Sequence, residues 1–222
     1  HEEAYFVADC IRAQRQLGRR YGDMAVLYRL NAQSRVFEDI LVKQGIPYQI
    51  VGGTRYFDRK EIKDVIAWLR MLQNPSDEVS LLRAVGVPRR GIGKTTLDRV
   101  SQLAALHGIP MFDVMAGVHA YPELGRAAQN LLVFVRFVRE MQQLFQTADL
   151  VTAVETLIEK SGIVKELQGE NSEQALVRIE NIREFVSVAR EFVDTTEEEP
   201  TLVNFLAQIA LVADVDSMAG DA

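Results

Sequence analysis

Arginine and amide side chains cluster at two places in the first quarter of the chain, each directly after a short apolar segment. The first cluster follows residues 24–28 and the second follows residues 48–51. Their members are Arg29, Asn31, Gln33, Ser34 and Arg35, and then Arg55, Tyr56 and Phe57. Guanidinium and amide groups donate hydrogen bonds but provide neither a nucleophile nor a set of metal ligands. The clusters are therefore typical of contacts to a polyanion backbone, and no catalytic or metal-binding residue is predicted.

A third candidate site lies between residues 81 and 100, where five basic residues accompany one acidic residue, a local charge of +4. The segment Gly86-Val-Pro-Arg-Arg-Gly-Ile-Gly93 interleaves these charges with glycine and proline. Glycines let a chain turn tightly and let a phosphate approach the backbone, and the unpaired N–H groups of a following helix attract anions. A helix–hairpin–helix that grips phosphates without reading bases is predicted, and a plain turn between packed helices is the alternative. The residues assigned to the phosphate contact are Arg89, Arg90, Gly91, Ile92, Gly93, Lys94 and Thr95.

The run Gly93-Lys94-Thr95-Thr96 superficially matches the end of a nucleotide-binding P-loop. That motif requires a glycine five positions before Gly93, where this chain has Pro88. The preceding residues 81–85 have helical character, whereas a P-loop follows a strand. A nucleotide site is therefore not predicted here.

Hydrophobic periodicity predicts two kinds of structure along the chain. Residues 1–57 are predicted to be a small α/β unit. Its strands are residues 24–28 and 48–51, and its helices are residues 5–16 and 32–44. The fold class is thus mainly α, with a small α/β segment preceding an all-helical domain.

Residues 58–213 form the predicted helical domain. Asp58 and Glu61 predict a capping box at its first helix, and Trp68 is predicted to border the apolar stripe of that helix. Further helices are predicted at residues 78–85, 94–107, 110–115, 123–146, 150–160, 172–193 and 202–211. Residues 214–222 contain little apolar surface and are predicted to be a frayed tail.

The segments that carry these clusters resemble the second half of a superfamily 1 DNA helicase of the UvrD/PcrA/Rep type. The resemblance begins in YRLNAQSR, continues through GIPYQIVGGTRYFDRKEIKDVIAWLR and NPSDEVSLLRAVGVPRRGIGKTTLDRV, and ends in NFLAQIALVADVD. It implies that residues 1–57 begin a RecA-like 2A subdomain and that residues 58–213 are the helical 2B subdomain. The chain enters a helical pattern at once without an initiator methionine, so it is expected to be a fragment of a longer motor protein.

The resemblance also implies which DNA each cluster contacts. Arg29, Asn31 and Arg55 are assigned to single-stranded DNA, with Arg55 near the junction of single and double strand. The hairpin at residues 86–93 is assigned to duplex DNA ahead of the motor.

Other roles for the residues of the first two clusters stay open. Asn31 is also a candidate helix cap. Arg35 is a candidate partner of Glu38 or Asp39 on a helix surface, where an ion pair contributes little. The aromatic side chains beside Arg55 are candidates either for stacking on bases or for packing.

By resemblance, the parent protein is an ATP-dependent DNA helicase of 3′ to 5′ polarity that uses ATP and Mg²⁺. The chain itself has no credible Walker lysine, acidic pair or γ-phosphate arginine, so it is expected to hold no cofactor and to be inactive alone. Two functions are considered. One is a DNA-binding and regulatory portion whose helical domain swivels about residues 52–58. The other is a protein-interaction module that docks repair or transcription partners through the acidic helices after Leu150.

Composition sets the remaining bounds. An apolar share of 48% with 25% charged residues is typical of a globular protein, and no apolar run is long enough to predict a membrane span. The net charge of −6 is unfavourable for a nucleic-acid binder, but residues 191–222 alone carry −8, which leaves the hairpin region basic. The lone Cys10 cannot form an internal disulfide, and a cytoplasmic location is predicted.

Overall fold

The computed structural model describes residues 2–28, 33–51 and 55–218, with side chains described through Val212. Within these ranges the chain folds into eleven α-helices. They are α1 (Glu2–Gln16), α2 (Ser34–Lys43), α3 (Lys60–Gln73), α4 (Glu78–Gly86), α5 (Lys94–His107), α6 (Met111–Ala116), α7 (Ala128–Thr147), α8 (Leu150–Ser161), α9 (Ile163–Gly169), α10 (Glu173–Thr195) and α11 (Leu202–Met218). Short 3-10 helices lie at Tyr21–Asp23, Tyr56–Asp58, Val118–Ala120 and Pro122–Ala127.

The two predicted strands are wrong, and with them the prediction of a small α/β unit. The described residues contain no strand or sheet. Met24 has extended backbone angles, but Leu27 and Val51, one in each predicted strand, are 95% and 90% exposed. An extended segment becomes a strand only when a neighbour completes its hydrogen-bond ladder, and two short segments cannot form a stable buried sheet alone. The mainly helical character of the prediction holds.

Residues 2–46 instead contribute a pair of packed helices, α1 and α2. The spacing of Ala4 and Ala8 places two small side chains on one face of α1. This face meets Ile40, Leu41 and Ile46 in a small apolar cluster separate from the main core. The first part of the chain is therefore a small helical unit attached to a larger one.

The main core is built around α3, which packs against α4, α7, α10 and α11. Most α3 residues are buried, as expected of a helix surrounded by other helices. Trp68 is fully buried, so the prediction that it only borders the apolar stripe is wrong. No described helix combines the length and the apolar content needed to cross a lipid bilayer.

The predicted capping box at the start of α3 is also wrong. The N-cap is Arg59, whose side chain caps no main-chain group. Asp58 pairs with Lys63 at 2.7 Å, and Glu61 accepts a hydrogen bond of 2.6 Å from Asn181 on α10. Tertiary partners have displaced the local contact that the sequence predicts.

Two further differences concern helix ends. The prediction missed α9, because a seven-residue helix carries little periodicity; Gly162 separates it from α8 with a positive φ of 84°. The backbone of α11 continues to Met218, through the first five residues of the segment predicted to be frayed. Residues 219–222 lie outside the described part of the chain.

Candidate nucleic-acid interface

The predicted order of helix, hairpin and helix is present at residues 78–107. The helix α4 ends at Gly86 and α5 begins at Lys94, and we call residues 87–93 between them the hairpin. Gly91 adopts a positive φ of 70°, a conformation that a residue with a side chain rarely takes. Gly93 is extended and is the N-cap of α5.

Most of the residues assigned to phosphate contact lie at the surface. Arg89 and Lys94 are exposed, as are Gly91, Gly93 and Thr95. Ile92 is the exception, since its side chain is 9% exposed and joins the main core. The hairpin and the first residue of α5 therefore present two exposed cations, Arg89 and Lys94, while the apolar side chain of Ile92 packs into the core.

Consecutive main-chain N–H groups at the end of the hairpin and the start of α5 lack an acceptor among the described residues. From Gly91 to Thr95, none of these groups donates to an acceptor in the described residues. The next two, on Thr96 and Leu97, donate to the Gly93 carbonyl at 3.0 and 3.1 Å. Unpaired N–H groups at a helix start carry the positive end of the helix dipole and favour an anion.

Two polar contacts from distant helices hold the hairpin backbone. The Arg89 N–H donates to the Glu166 carboxylate of α9 at 3.1 Å. The Asn130 side chain of α7 donates to the Gly91 carbonyl at 3.1 Å. A hairpin bound to the helical core at Arg89 and Gly91 can present its N–H groups in a fixed arrangement.

Arg90 is placed differently from its neighbour Arg89. Its guanidinium lies 4.6 Å from the ring centre of Trp68 and donates to the carbonyls of Pro88 at 2.7 Å and Ser161 at 2.8 Å. Burial lowers the pKa of Arg90 to about 10, against a smaller opposing effect of Glu166. The side chain therefore remains a cation at neutral pH while its donors are turned towards the protein.

Of the three residues assigned to single-stranded DNA, the structure describes only Arg55. Arg29 and Asn31 lie outside the described residues. Arg55 is half-buried and precedes the 3-10 helix Tyr56–Asp58, and its guanidinium makes no hydrogen bond to the described residues. Tyr56 and Phe57 are 1% and 7% exposed, so they pack in the core and are not available for stacking on bases.

Arg35 pairs with Asp39, one of the two partners that the sequence left open, but the pair is buried and not exposed on the helix surface. Its side chain is 3% exposed and contacts Asp39 of α2 at 2.7 Å together with Glu184 and Glu191 of α10. Burial alone would lower the pKa of Arg35, but the three carboxylates outweigh it and raise the pKa above its ordinary value. We call this set the Arg35 cluster, and it joins the α1–α2 pair to the main helical unit.

The described residues do not fit ATP and Mg²⁺. Lys94 follows a helix and a hairpin, whereas the lysine of a P-loop follows a strand. Among the residues that the structure describes, no three acidic, histidine or cysteine side chains converge in a way that could hold a metal ion.

Three residues at the hairpin have no signal in the sequence. Glu166 and Asn130 reach it from 77 and 39 positions away, and Trp68 donates its indole N–H to the Val87 carbonyl at 2.8 Å. Side-chain contacts to a loop backbone follow no short spacing, so only the fold reveals them.

The chain is similar to known proteins along nearly its whole length. Residues 1–220 match the family model described as the UvrD-like helicase C-terminal domain. The chain is 40% identical over 217 residues to the "ATP-dependent DNA helicase PcrA" of Bacillus subtilis (strain 168), and 38% identical over 216 residues to the protein of the same name from Staphylococcus aureus (strain Mu50 / ATCC 700699). These alignments cover 97% of the chain but only 29% and 30% of the two relatives.

Proposed function

Because the chain belongs to the UvrD-like helicase C-terminal domain family, we propose that it is the DNA-binding and regulatory portion of an ATP-dependent DNA helicase of 3′ to 5′ polarity. Its relatives are named as ATP-dependent DNA helicases, and the chain aligns with 29% and 30% of their lengths. ATP and Mg²⁺ are assigned to the parent protein outside the described residues. The chain alone is then inactive, and DNA-stimulated release of phosphate from ATP by the purified chain would contradict this assignment.

The proposal places the hairpin on the phosphate backbone of duplex DNA. The observation that carries it is the run of unpaired main-chain N–H groups from Gly91 to Thr95, which includes the exposed cation Lys94 and follows closely on the exposed cation Arg89. Backbone donors and point charges bind any phosphate equally and read no base. The contact is therefore independent of sequence, which suits a motor that moves along DNA.

Single-stranded DNA is proposed to meet the chain near the boundary between the α1–α2 pair and the helical unit. Arg29, Asn31 and Arg55 are the residues proposed for this contact. The half-buried position of Arg55 directly before the 3-10 helix supports its part in the proposal, because a group on a fixed backbone can position a strand. The expected substrate is thus a duplex with a single-stranded tail.

Fluorescence anisotropy over a salt series tests the duplex contact. The chain is titrated against a blunt duplex and against a duplex with a single-stranded tail. Binding should weaken as salt rises, with a slope of about −0.9 for each phosphate contacted on the duplex. The double variant Arg89→Glu, Lys94→Glu should abolish binding to blunt duplex.

A matched control reverses two charges elsewhere on the surface. Arg136 and Arg139 are exposed on α7, and Arg139 lies nine residues, roughly 14 Å, beyond Asn130 along the helix. The double variant Arg136→Glu, Arg139→Glu changes the net charge by the same amount and should keep most of the binding. Equal losses in both double variants would show that only net charge matters and would overturn the hairpin assignment.

A second candidate function is a docking module for repair or transcription proteins. The observation that favours it is a cavity of about 300 Å³ beside the acidic loop before α11. Glu199 and Pro200 of that loop line it together with Phe145, Val193 and Leu202. A basic segment with an apolar residue would fit such a surface. Loss of partner binding on replacing Glu197, Glu198 and Glu199 with glutamine, with DNA binding unchanged, would support this function.

A further inference from the structure

We propose that Arg90 is a positioning residue that holds the hairpin in its phosphate-binding form, and that it does not contact phosphate itself. The inference rests on the proposed function of the hairpin. It gives different roles to two adjacent arginines that look equivalent in the sequence. Arg89 contacts phosphate, whereas Arg90 positions the hairpin.

The first support is the hydrogen bonding of the Arg90 guanidinium. Its Nη1 donates to the Pro88 carbonyl at 2.7 Å and to the Ala84 carbonyl at 3.4 Å. Its Nη2 donates to the Ser161 carbonyl at 2.8 Å. These acceptors lie at the end of α4, within the hairpin and at the end of α8. One planar group therefore ties three separate backbone segments together, which a flexible ammonium cannot reproduce.

The second support is the packing of two aromatic rings against the guanidinium. Its central carbon lies 4.6 Å from the ring centre of Trp68 and 6.0 Å from that of Phe134. Both rings are fully buried, so the cation rests on the main core, where cation–π attraction is strongest. Moving Arg90 outward to a phosphate would cost this contact and leave the three carbonyls without their donors.

The third support is that Trp68 holds the hairpin from the same side. Its indole N–H donates to the Val87 carbonyl at 2.8 Å, at the start of the hairpin. Pro88 lies against Gly162, where an added Cβ would come within 3.5 Å of its ring. The hairpin therefore packs against α3 and against the turn between α8 and α9, and Arg90 contacts both regions through Trp68 and Ser161.

The test compares lysine substitutions at the two adjacent arginines in the 222-residue chain. Binding to blunt duplex is measured by anisotropy across a salt series. Arg89→Lys keeps the charge of a phosphate contact and should bind like the unchanged chain. Arg90→Lys keeps the charge but cannot bridge three carbonyls, and it should bind roughly tenfold more weakly, the effect of one lost charge-assisted hydrogen bond.

The salt dependence of duplex binding distinguishes a residue that positions the hairpin from one that contacts phosphate. Arg89→Gln should reduce the magnitude of the salt slope by about 0.9, because one phosphate contact is lost. Arg90→Gln should weaken binding with the slope unchanged. A reduced slope for Arg90→Gln, or unchanged affinity for Arg90→Lys, would overturn the inference while leaving the hairpin as the duplex contact. Failure of the unchanged chain to bind duplex at low salt would overturn the proposed function and this inference together.

The single tryptophan of the chain provides a readout that needs no DNA. Arg90→Lys should shift the emission of Trp68, since the cation over its ring is displaced, and Arg89→Lys should not. Circular dichroism establishes that each variant is folded. If the Arg90 variants do not fold, Trp68→Phe gives an independent test, because it changes no charge but removes the hydrogen bond to Val87 and the indole that packs against Arg90. It should weaken duplex binding by roughly fivefold with the salt slope unchanged, and undiminished affinity would contradict the proposal.

Discussion

The guanidinium of Arg35 on α2 donates a hydrogen bond of 2.9 Å to the Glu184 carboxylate on α10, across 149 positions of the sequence. The same guanidinium contacts Glu191 of α10 at 3.1 Å. The α1–α2 pair has its own small apolar cluster, so these ionic contacts are a principal link between it and the larger helical unit. Because the Arg35 side chain is only 3% exposed, removing it would leave its carboxylate partners without a counter-charge that water can fully replace.

Arg35→Met should lower the free energy of unfolding by about 3 kcal/mol. Removing one partner of a buried ion pair usually costs about 3–5 kcal/mol. The lower end of this range is expected here, because the side chains of Asp39, Glu184 and Glu191 are 15–25% exposed and their carboxylates retain some water. Urea unfolding followed by circular dichroism measures the change.

An exposed ion pair supplies the control for that experiment. Arg190 and Glu155 lie 3.4 Å apart with 59% and 52% of their side-chain areas exposed. Arg190→Met should change the stability by less than about 0.5 kcal/mol. If Arg35→Met changes the free energy of unfolding as little as Arg190→Met does, the Arg35 cluster does not stabilise the packing of the α1–α2 pair against the larger helical unit.

Asn181 of α10 should be a second sensitive position at the same junction. Its side chain accepts a hydrogen bond from Arg59 at 2.9 Å and donates to Glu61 at 2.6 Å, and the residue is 2% exposed. Asn181→Ala should lower the free energy of unfolding by about 2 kcal/mol, because two buried charged groups each lose a partner. Asn204→Ala, which removes an exposed contact to the Glu199 carbonyl, should cost less than half as much in the same urea titration.

How far the sequence predicts this protein depends on the range of the interactions involved. The bounds of α5 agree with the prediction to the residue because glycines flank it, one of them, Gly108, in the left-handed conformation that ends a helix. The strands failed because a strand depends on a partner that local periodicity cannot identify. The same limit applies to Asp58 and Glu61, whose predicted capping box gave way to tertiary partners.

At the candidate site the sequence predicts the position of the hairpin but not the role of each side chain. Glycine, charge and the flanking helices are local, and they place the turn correctly. Arg89 and Arg90 look equivalent in the sequence, yet one is exposed and the other lies over Trp68. Glu166 could not be found from the sequence, because its contact to the Arg89 N–H arises only when α9 folds against the hairpin.

Gly91→Ala should disrupt the hairpin. Its φ of 70° is strained for any residue with a side chain, and an added Cβ would lie 2.8 Å from the Asn130 amide nitrogen. The left-handed conformation costs roughly 1–2 kcal/mol for alanine. Hydrogen exchange should therefore quicken at the bonded amides of Arg89, Thr96 and Leu97, and duplex binding should weaken.

The glycine at the end of α4 provides the matched substitution. A Cβ at Gly86 meets nothing within 4 Å and its φ is not positive, so Gly86→Ala should leave exchange at the hairpin unchanged. Combining Gly91→Ala with Asn130→Ser should relieve the contact but not the backbone strain. Full recovery in that double variant would show that the clash alone explains the effect.

The stability of the chain should fall in acid partly through Asp77, the N-cap of α4. The Ser80 hydroxyl donates to its carboxylate at 2.6 Å and the Ser80 N–H at 3.1 Å, and these bonds hold the pKa of Asp77 below its ordinary value. The unfolded state therefore binds a proton more readily than the folded state. The stabilisation is fully present above about pH 4, the ordinary pKa of aspartate, and is lost as pH falls through the folded-state pKa.

Asp77→Asn keeps an oxygen that can accept from the Ser80 N–H but removes the titration. Its free energy of unfolding at pH 7 should be lower than that of the unchanged chain by about 1 kcal/mol or less, within the range for helix caps. The difference should narrow between pH 4 and pH 2, as the wild-type carboxylate becomes protonated. Ser80→Ala removes the hydroxyl donor. In urea titrations at each pH, its difference from the unchanged chain in free energy of unfolding should also narrow between pH 4 and pH 2, by a smaller amount. A difference between Asp77→Asn and the unchanged chain that stays constant from pH 7 to pH 2 would show that the charge of Asp77 does not stabilise α4.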